Sequence, residues 1–210
     1  MCSRLSLALF ATTCALFAVV AVVVISHIGS QPGTATNAAV VQGPESPFRG
    51  ATMPPGVRAP AFKLIDQDGK PVSMAEYRGK PVVVTYLYTT CKETCPVAAQ
   101  MIRGALDDLG RDVPALAVSV DPFRDTPASA RAFLAKSKMA GRLRWVLGKR
   151  RQLLPVWHGF AIQPQLRNVE HQALITLVDR KGFQRVGVGV NQTSPEDLAH
   201  DIGVLVSEKR

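Results

Sequence analysis

Val82-Val-Val-Thr-Tyr-Leu-Tyr88-Thr-Thr-Cys91-Lys-Glu-Thr-Cys95-Pro96 decides how this chain folds. The run from Val82 to Tyr88 is apolar almost throughout, which suits a central strand covered on both faces. Pro96 suits the first position of a helix. Val97, Met101, Ala105 and Leu109 then lie along one face of a helix from Pro96 to Leu109. Two thiols three residues apart sit between that strand and the N-terminal end of that helix.

Working outward, the same alternation continues. Ala61 to Ile65 reads as a short strand, and Asp66-Gln-Asp-Gly69 as a turn. Ser73-Met-Ala-Glu76 has the form of a capping box opening a short helix. Pro114 to Val120 is a second buried strand, and Thr126-Pro127 starts a helix running to about Met139. Leu143 to Leu147 reads as a strand, and Lys149 to Phe160 as a helix disturbed by Pro155. Ala173 to Val178 and Phe183 to Val188 are hairpin strands around the turn Asp179-Arg-Lys-Gly182. Thr193-Ser-Pro-Glu196 opens a last helix with a capping box. Strand and helix in alternation, closed by a hairpin and a helix, predict an α/β fold: a three-layer α/β/α sandwich with a mixed sheet.

The beginning of the chain is of another kind. Leu5 to Ile28 holds no Lys, Arg, Asp or Glu, and about 20 apolar residues suffice to cross a bilayer. A secretory h-region is shorter, roughly 7–15 residues, so residues 5–28 read as an uncleaved transmembrane signal anchor. Arg4 precedes the run, which predicts that residues 1–4 stay in the cytoplasm and that the rest is exported. Expected localisation is thus the cell membrane, single-pass, with the domain on the extracytoplasmic side. Residues 29–58, rich in Gly, Pro, Ser, Thr and Ala, read as a flexible tether, leaving residues 59–210 as one domain. The net charge is +9. Its densest clusters, Arg142-Leu-Arg144 and Lys149-Arg-Arg151, are shorter than the 5–8 basic residues of a nucleic-acid patch. They read as a solvated surface, and no nucleic-acid partner is expected.

Of four cysteines, Cys2 and Cys14 belong to the anchor region. An exported domain with one remaining pair, Cys91 and Cys95, is not a disulfide scaffold, so the pair points to chemistry. Residues i and i+4 on a helix share a face, and a helix N-terminus and Lys92 both favour thiolate. Such a pair could cycle through a disulfide, bind a soft metal, or both. Soft thiolates suit Cu(I), and an added imidazole makes Cu(II) acceptable. Of the histidines His27, His158, His171 and His200, His171 stands just before the strand at Ala173. By spacing alone it is no more than a candidate, because a lone histidine is usually a satisfied surface or core residue.

Three segments in order resemble the SCO/SenC family of membrane-anchored copper proteins. They are Tyr88-Thr-Thr-Cys91-Lys-Glu-Thr-Cys95-Pro96, Val118-Ser-Val-Asp-Pro-Phe-Arg-Asp-Thr-Pro127, and His171-Gln-Ala-Leu-Ile-Thr-Leu-Val-Asp-Arg-Lys-Gly182. The resemblance implies a thioredoxin-like fold that binds one copper ion, with Cys91, Cys95 and His171 as ligands. It implies delivery of copper to the binuclear copper site of cytochrome c oxidase, or reduction of the cysteines there. Partners implied are that copper-site subunit, the membrane, and a copper donor or thiol reductase. Asp121 and Asp125 fall in the second segment. Their local chemistry favours a structural role, Asp121 ending a strand and Asp125 lying beside the cap at Thr126. The residues Lys92-Glu-Thr94 depart from the commoner Pro-Asp-x, and Tyr86-Leu87 from an aromatic-Gly-Tyr pattern.

An exported thiol–disulfide oxidoreductase using Cys91 and Cys95 is the alternative. Against it stand the CxxxC spacing in place of the redox-typical CxxC and the absence of Pro before Ala173. A structural zinc site, which needs four protein ligands, is disfavoured.

Overall fold

The computed structural model describes residues 46–164 and 173–208. A six-stranded mixed sheet forms the middle layer, in the order β1-β8-β7-β4-β5-β6. Its strands are β1 (Ala51–Thr52), β4 (Val82–Leu87), β5 (Ala115–Ser119), β6 (Arg144–Val146), β7 (Leu174–Val178) and β8 (Gln184–Gly189). The pairs β4–β5 and β5–β6 are parallel, whereas β4–β7, β7–β8 and β8–β1 are antiparallel. A separate hairpin joins β2 (Lys63–Ile65) to β3 (Pro71–Ser73).

The sheet has two buried faces because its central strands are apolar at successive positions. Every residue of β4 and β5 is buried. Val83, Leu87, Ala115 and Ala117 point to one side, where α1 (Thr94–Asp108), α2 (Pro127–Lys136) and α4 (Pro195–Ser207) cover them. Val82, Val84, Tyr86, Leu116 and Val118 point to the other, under α3 (Arg150–Gly159) and the β2–β3 hairpin. The predicted three-layer architecture is therefore the observed one. Pro155 lies inside α3, which nonetheless runs from Arg150 to Gly159.

Helix α1 begins two residues earlier than its proline suggests, so Pro96 is its third residue and Cys95 its second. Its buried face is only partly the predicted one, since Ala105 is buried and Met101 and Leu109 pack against the core. Ala98, Ala99, Ile102, Ala105 and Leu106 are buried, while Val97 is 49 % exposed. The small residues are inside because α1 lies close to α4: a Cβ on Gly104 would come within 2.9 Å of Pro195. Choosing the face by the largest apolar side chains overlooks such alanines.

Other caps shift by one. Ser194, not Thr193, accepts the Asp197 N–H at the start of α4 (3.0 Å). Ser73 makes no backbone cap, and its hydroxyl meets Glu76 at 3.3 Å. The stretch from Ser46 to Arg58, read by composition as tether, packs onto the domain. Its Arg49 and Gly50 N–H groups donate to the buried Asp201 carboxylate (2.7 and 2.9 Å), and Ala51–Thr52 add an edge strand to β8. Two residues of strand lie below what apolar periodicity can reveal.

The apolar run 5–28 and the tether residues 29–45 lie outside the described residues, as does His171. Among the described residues, no helix is long and apolar enough to cross a membrane.

Candidate metal and thiol site

The cysteine loop leaves the carboxyl end of β4 and returns as α1. Tyr88 accepts the Cys91 N–H at 3.2 Å, which closes a turn and sets Cys91 half-buried just before the helix. The helix cap, Glu93, makes no side-chain capping bond. The first N–H groups of a helix have no partner inside it. Here the Cys91 sulfur supplies one: Cys95 N donates to Cys91 Sγ at 3.2 Å. Thr94 Oγ1 lies 3.4 Å from the same sulfur. Both thiols are free, and Cys95 is completely buried.

This geometry drives the two thiols in opposite directions. Burial works against a Cys91 thiolate, but hydrogen bonds from Thr94, from the Cys95 thiol and from the Cys95 and Glu93 amides outweigh it, so its pKa falls. At Cys95, burial dominates and the neighbouring Cys91 adds to it, so its pKa rises. Burial and the Cys91 sulfur likewise push the Tyr88 phenol up. The site thus pairs a sulfur whose thiolate is favoured, Cys91, with one behind it whose thiol form is favoured, Cys95. Sequence reasoning found both cysteines. It missed Thr94, although a hydroxyl at the first helical position inside the CxxxC segment was the available signal.

Asp125 does more than flank the α2 cap. Its carboxylate crosses from the β5–α2 loop and accepts the Thr89 N–H at 2.7 Å, two residues before Cys91. Ser119 Oγ, on β5, donates to it at 2.5 Å, and Trp157 Nε1 donates to the Ser119 carbonyl at 2.9 Å. The cysteine loop is thereby tied through Asp125 to the sheet and to α3. Among the described residues Asp125 meets no cation: burial raises its pKa, its hydrogen bonds lower it, Asp121 raises it, and the net shift is upward. Asp121 itself closes a turn, accepting the Arg124 and Asp125 N–H groups on its carbonyl and pairing its carboxylate with Arg124.

Thiolates select a soft metal such as Cu(I), and imidazole suits copper as well. The described part of the site presents two sulfurs. No cluster of three or more His, Cys, Asp or Glu side chains suited to a metal occurs among the described residues. Ala173 enters β7 beside the end of β4, since Thr85 pairs with Ile175 and donates its hydroxyl to the Leu174 carbonyl at 2.9 Å. The chain after residue 172 thus joins the sheet at the end from which the cysteine loop departs.

A mixed sheet with helices on both faces, carrying a CxxxC pair between its central strand and the following helix, defines a thioredoxin-like thiol domain. The sequence profile of SCO1/SenC matches residues 51–207, and the chain belongs to that family. Protein SenC of Rhodobacter capsulatus is 29 % identical over 158 residues, 69 % of this chain and 69 % of SenC. Protein sco1 of Schizosaccharomyces pombe is 28 % identical over 159 residues, 68 % of this chain, and the match spans 59 % of its length. Among solved structures, ScoI of Bradyrhizobium japonicum with copper bound is 26 % identical, with a TM-score of 0.56 over 70 % of this chain and 99 % of that one.

Proposed function

We propose that this protein carries copper to the binuclear copper site of cytochrome c oxidase during assembly, with Cys91, Cys95 and His171 as its ligands. The observation that carries the reading is the sulfur pair itself. Cys91 Sγ is held by two local hydrogen-bond partners at the mouth of a helix, with the Cys95 thiol directly behind it. Copper is the cargo and the two sulfurs suit it in the cuprous state. Family membership and the copper-bound relative support the choice of metal. The topology that brings Ala173 in beside the cysteine loop supports His171.

In the same reading residues 5–28 form a single-pass anchor, residues 1–4 stay in the cytoplasm, and residues 29–45 tether the domain to the outer face of the membrane. A tether raises the effective concentration of encounters with membrane targets. Titrating residues 46–210 with Cu(I) tests the ligand set. Cys91→Ser and Cys95→Ser should each weaken binding beyond the 10–100-fold that loss of a supporting partner costs. His171→Ala should weaken it and remove the imidazole contribution to the Cu(II) spectrum. Unchanged affinity in all three variants would sink the assignment.

The opposite pKa shifts of the two thiols favour a second activity of the same pair. The Cys91 thiolate attacks a client disulfide, one client thiolate leaves, and Cys95 then displaces the second. The client gains two electrons, one proton from Cys95 and one from solvent, and the Cys91–Cys95 pair becomes a disulfide that an external thiol reductant resets. Oxidised, the pair holds no copper. Reduction of a client disulfide that is unaffected by His171→Ala would establish this activity.

A further inference from the structure

A groove of about 750 Å³ opens beside Cys91 and runs between α1 and α2. Pro96 on α1 and Ala132 and Phe133 on α2 give it an apolar wall. Its far end is closed where Gln100 Nε2 donates to the Ser137 carbonyl at 2.9 Å. Two lysines stand on its rim, Lys92 at the thiol end and Lys136 on the last turn of α2. Both are exposed, and among the described residues neither has a carboxylate within salt-bridge distance. Apart from Cys91 and Thr89 at its thiol end, the groove's lining makes none of the hydrogen bonds described for the sulfur pair.

We infer that the groove receives an extended segment of the client protein, with apolar side chains along the wall and acidic side chains against Lys92 and Lys136, so that a client sulfur lies next to Cys91. Charge and shape point to the same occupant. Unpaired cations across an interface steer and select partners of opposite charge. An extended segment suits a groove that runs from Cys91 to Ser137 between two helices, whose thiol end is fixed where Asp125, the residue before the α2 cap, accepts the Thr89 N–H. The inference rests on Cys91 being the thiol that meets the client, and it adds which kind of segment that thiol meets.

The test is a charge-swapped pair of short peptides, one with Asp and Glu flanking a central cysteine, one with Lys. Each cysteine carries thionitrobenzoate in disulfide linkage. The Cys91 thiolate attacks the peptide sulfur, a new S–S bond forms, and coloured thionitrobenzoate leaves with the electron pair. At low salt the acidic peptide should react about tenfold faster than the basic one, and near 1 M salt the ratio should approach one, as screening predicts. Joint reversal, Lys92→Glu with Lys136→Glu, should invert the ratio. Using the ratio cancels any change in the Cys91 thiolate that Lys92→Glu itself causes. Reversal of Lys63 and Lys181, which do not line the groove, should leave it unchanged. Ala132→Trp, at an exposed position, should slow both peptides but not a small disulfide reagent. Equal rates for the two peptides, or equal effects of the two lysine pairs, would overturn the docking site. Copper titration of the same variants separates the two ideas. A retained peptide preference without copper binding removes the copper reading and leaves the groove standing, and the converse leaves only the copper site.

Discussion

The two ends of the parallel strands are held together by different chemistry. At the amino end, charge meets charge. The buried Asp66 carboxylate takes the Arg144 guanidinium at 2.8 Å, and the same guanidinium reaches Glu76 at 3.0 Å. Arg142 bridges Asp107 and Asp112 nearby. At the carboxyl end, Asp125, also buried, meets only an amide and a hydroxyl among the described residues, and Lys92 has no carboxylate within salt-bridge distance among them. One end spends its charges on holding the fold. The other pairs Asp121 with Arg124 but, among the described residues, leaves Lys92 beside the Cys91 sulfur without a carboxylate, which suits a site that must meet a metal ion or a client. The basic stretch 142–144, read in the sequence as solvated surface, is thus mostly structural.

The largest effect that would sharpen this contrast is expected at the amino end. Arg144→Ala leaves Asp66 buried without its cation, and breaking such a pair costs about 3 kcal/mol, the lower end of the usual range because the guanidinium is 31 % exposed. Urea unfolding should register that loss, while the rate of Cys91 alkylation in the folded protein stays at its wild-type value. A large change in thiol reactivity would mean that the two ends are not independent.

Asp125→Ala should come next. It strands the Thr89 N–H and the Ser119 hydroxyl, at about 1–3 kcal/mol for the orphaned donors. Unlike Arg144→Ala it should also loosen the cysteine loop and weaken copper binding about tenfold, the scale of a lost supporting contact. Asp125→Asn, which keeps an acceptor for Thr89, should restore most of the affinity. Loss of stability without loss of affinity would reduce Asp125 to a fold residue.

Why was so much of this readable, and what was not? The central strands announced themselves because burial on both faces forces nearly every residue of β4 and β5 to be apolar. The thiol pair announced itself by scarcity, as the only cysteines after residue 14. What stayed hidden depends on contacts between distant segments. Asp125 and Thr89 are 36 positions apart, and nothing local to either says that they touch. The face of α1 was read only in part: Ala105 is buried as expected, but Ala98 and Ala99 went unnoticed because close approach to α4 selects small residues there, and alanine carries little apolar signal. The resemblance to the copper family supplied the metal and His171, which spacing alone did not.

The two carboxylates should also answer pH with opposite signs. For Asp66, burial opposes ionisation, but Arg144 and the Asp68 and Lys70 amides outweigh it and hold the pKa below its ordinary 3.8. Its contribution is therefore present above the ordinary range and lost as pH falls through the folded-state pKa. Asp125 is shifted upward from 3.8. Its contribution is full below that value and declines as pH rises through the folded-state pKa. Asp66→Asn should then be most destabilising near neutral pH and least in acid, and Asp125→Asn the reverse. Each difference is bounded by about 1.4 kcal/mol per unit of pKa shift. Parallel pH profiles for the two variants would show that the ends of the sheet do not differ in the way their partners imply.

The smallest effect isolates the thiol. The Thr94 hydroxyl lies 3.4 Å from Cys91 Sγ, and Thr94→Val keeps its shape while removing the donor. A hydrogen bond to the anionic form lowers a pKa, so its loss should move the Cys91 alkylation midpoint upward. A net contribution of about 0.5–1.5 kcal/mol corresponds to a shift of up to about one unit. Iodoacetamide labelling at neutral pH should slow by about 2–10-fold, with the unfolding midpoint in urea unchanged. Cys95 should remain unlabelled in both proteins until they unfold, because its sulfur is wholly buried. If Thr94→Val labels as fast as wild type, the lowered Cys91 pKa comes from the Cys95 thiol and the Cys95 and Glu93 amides. The hydroxyl at the first helical position would then serve the helix and not the sulfur.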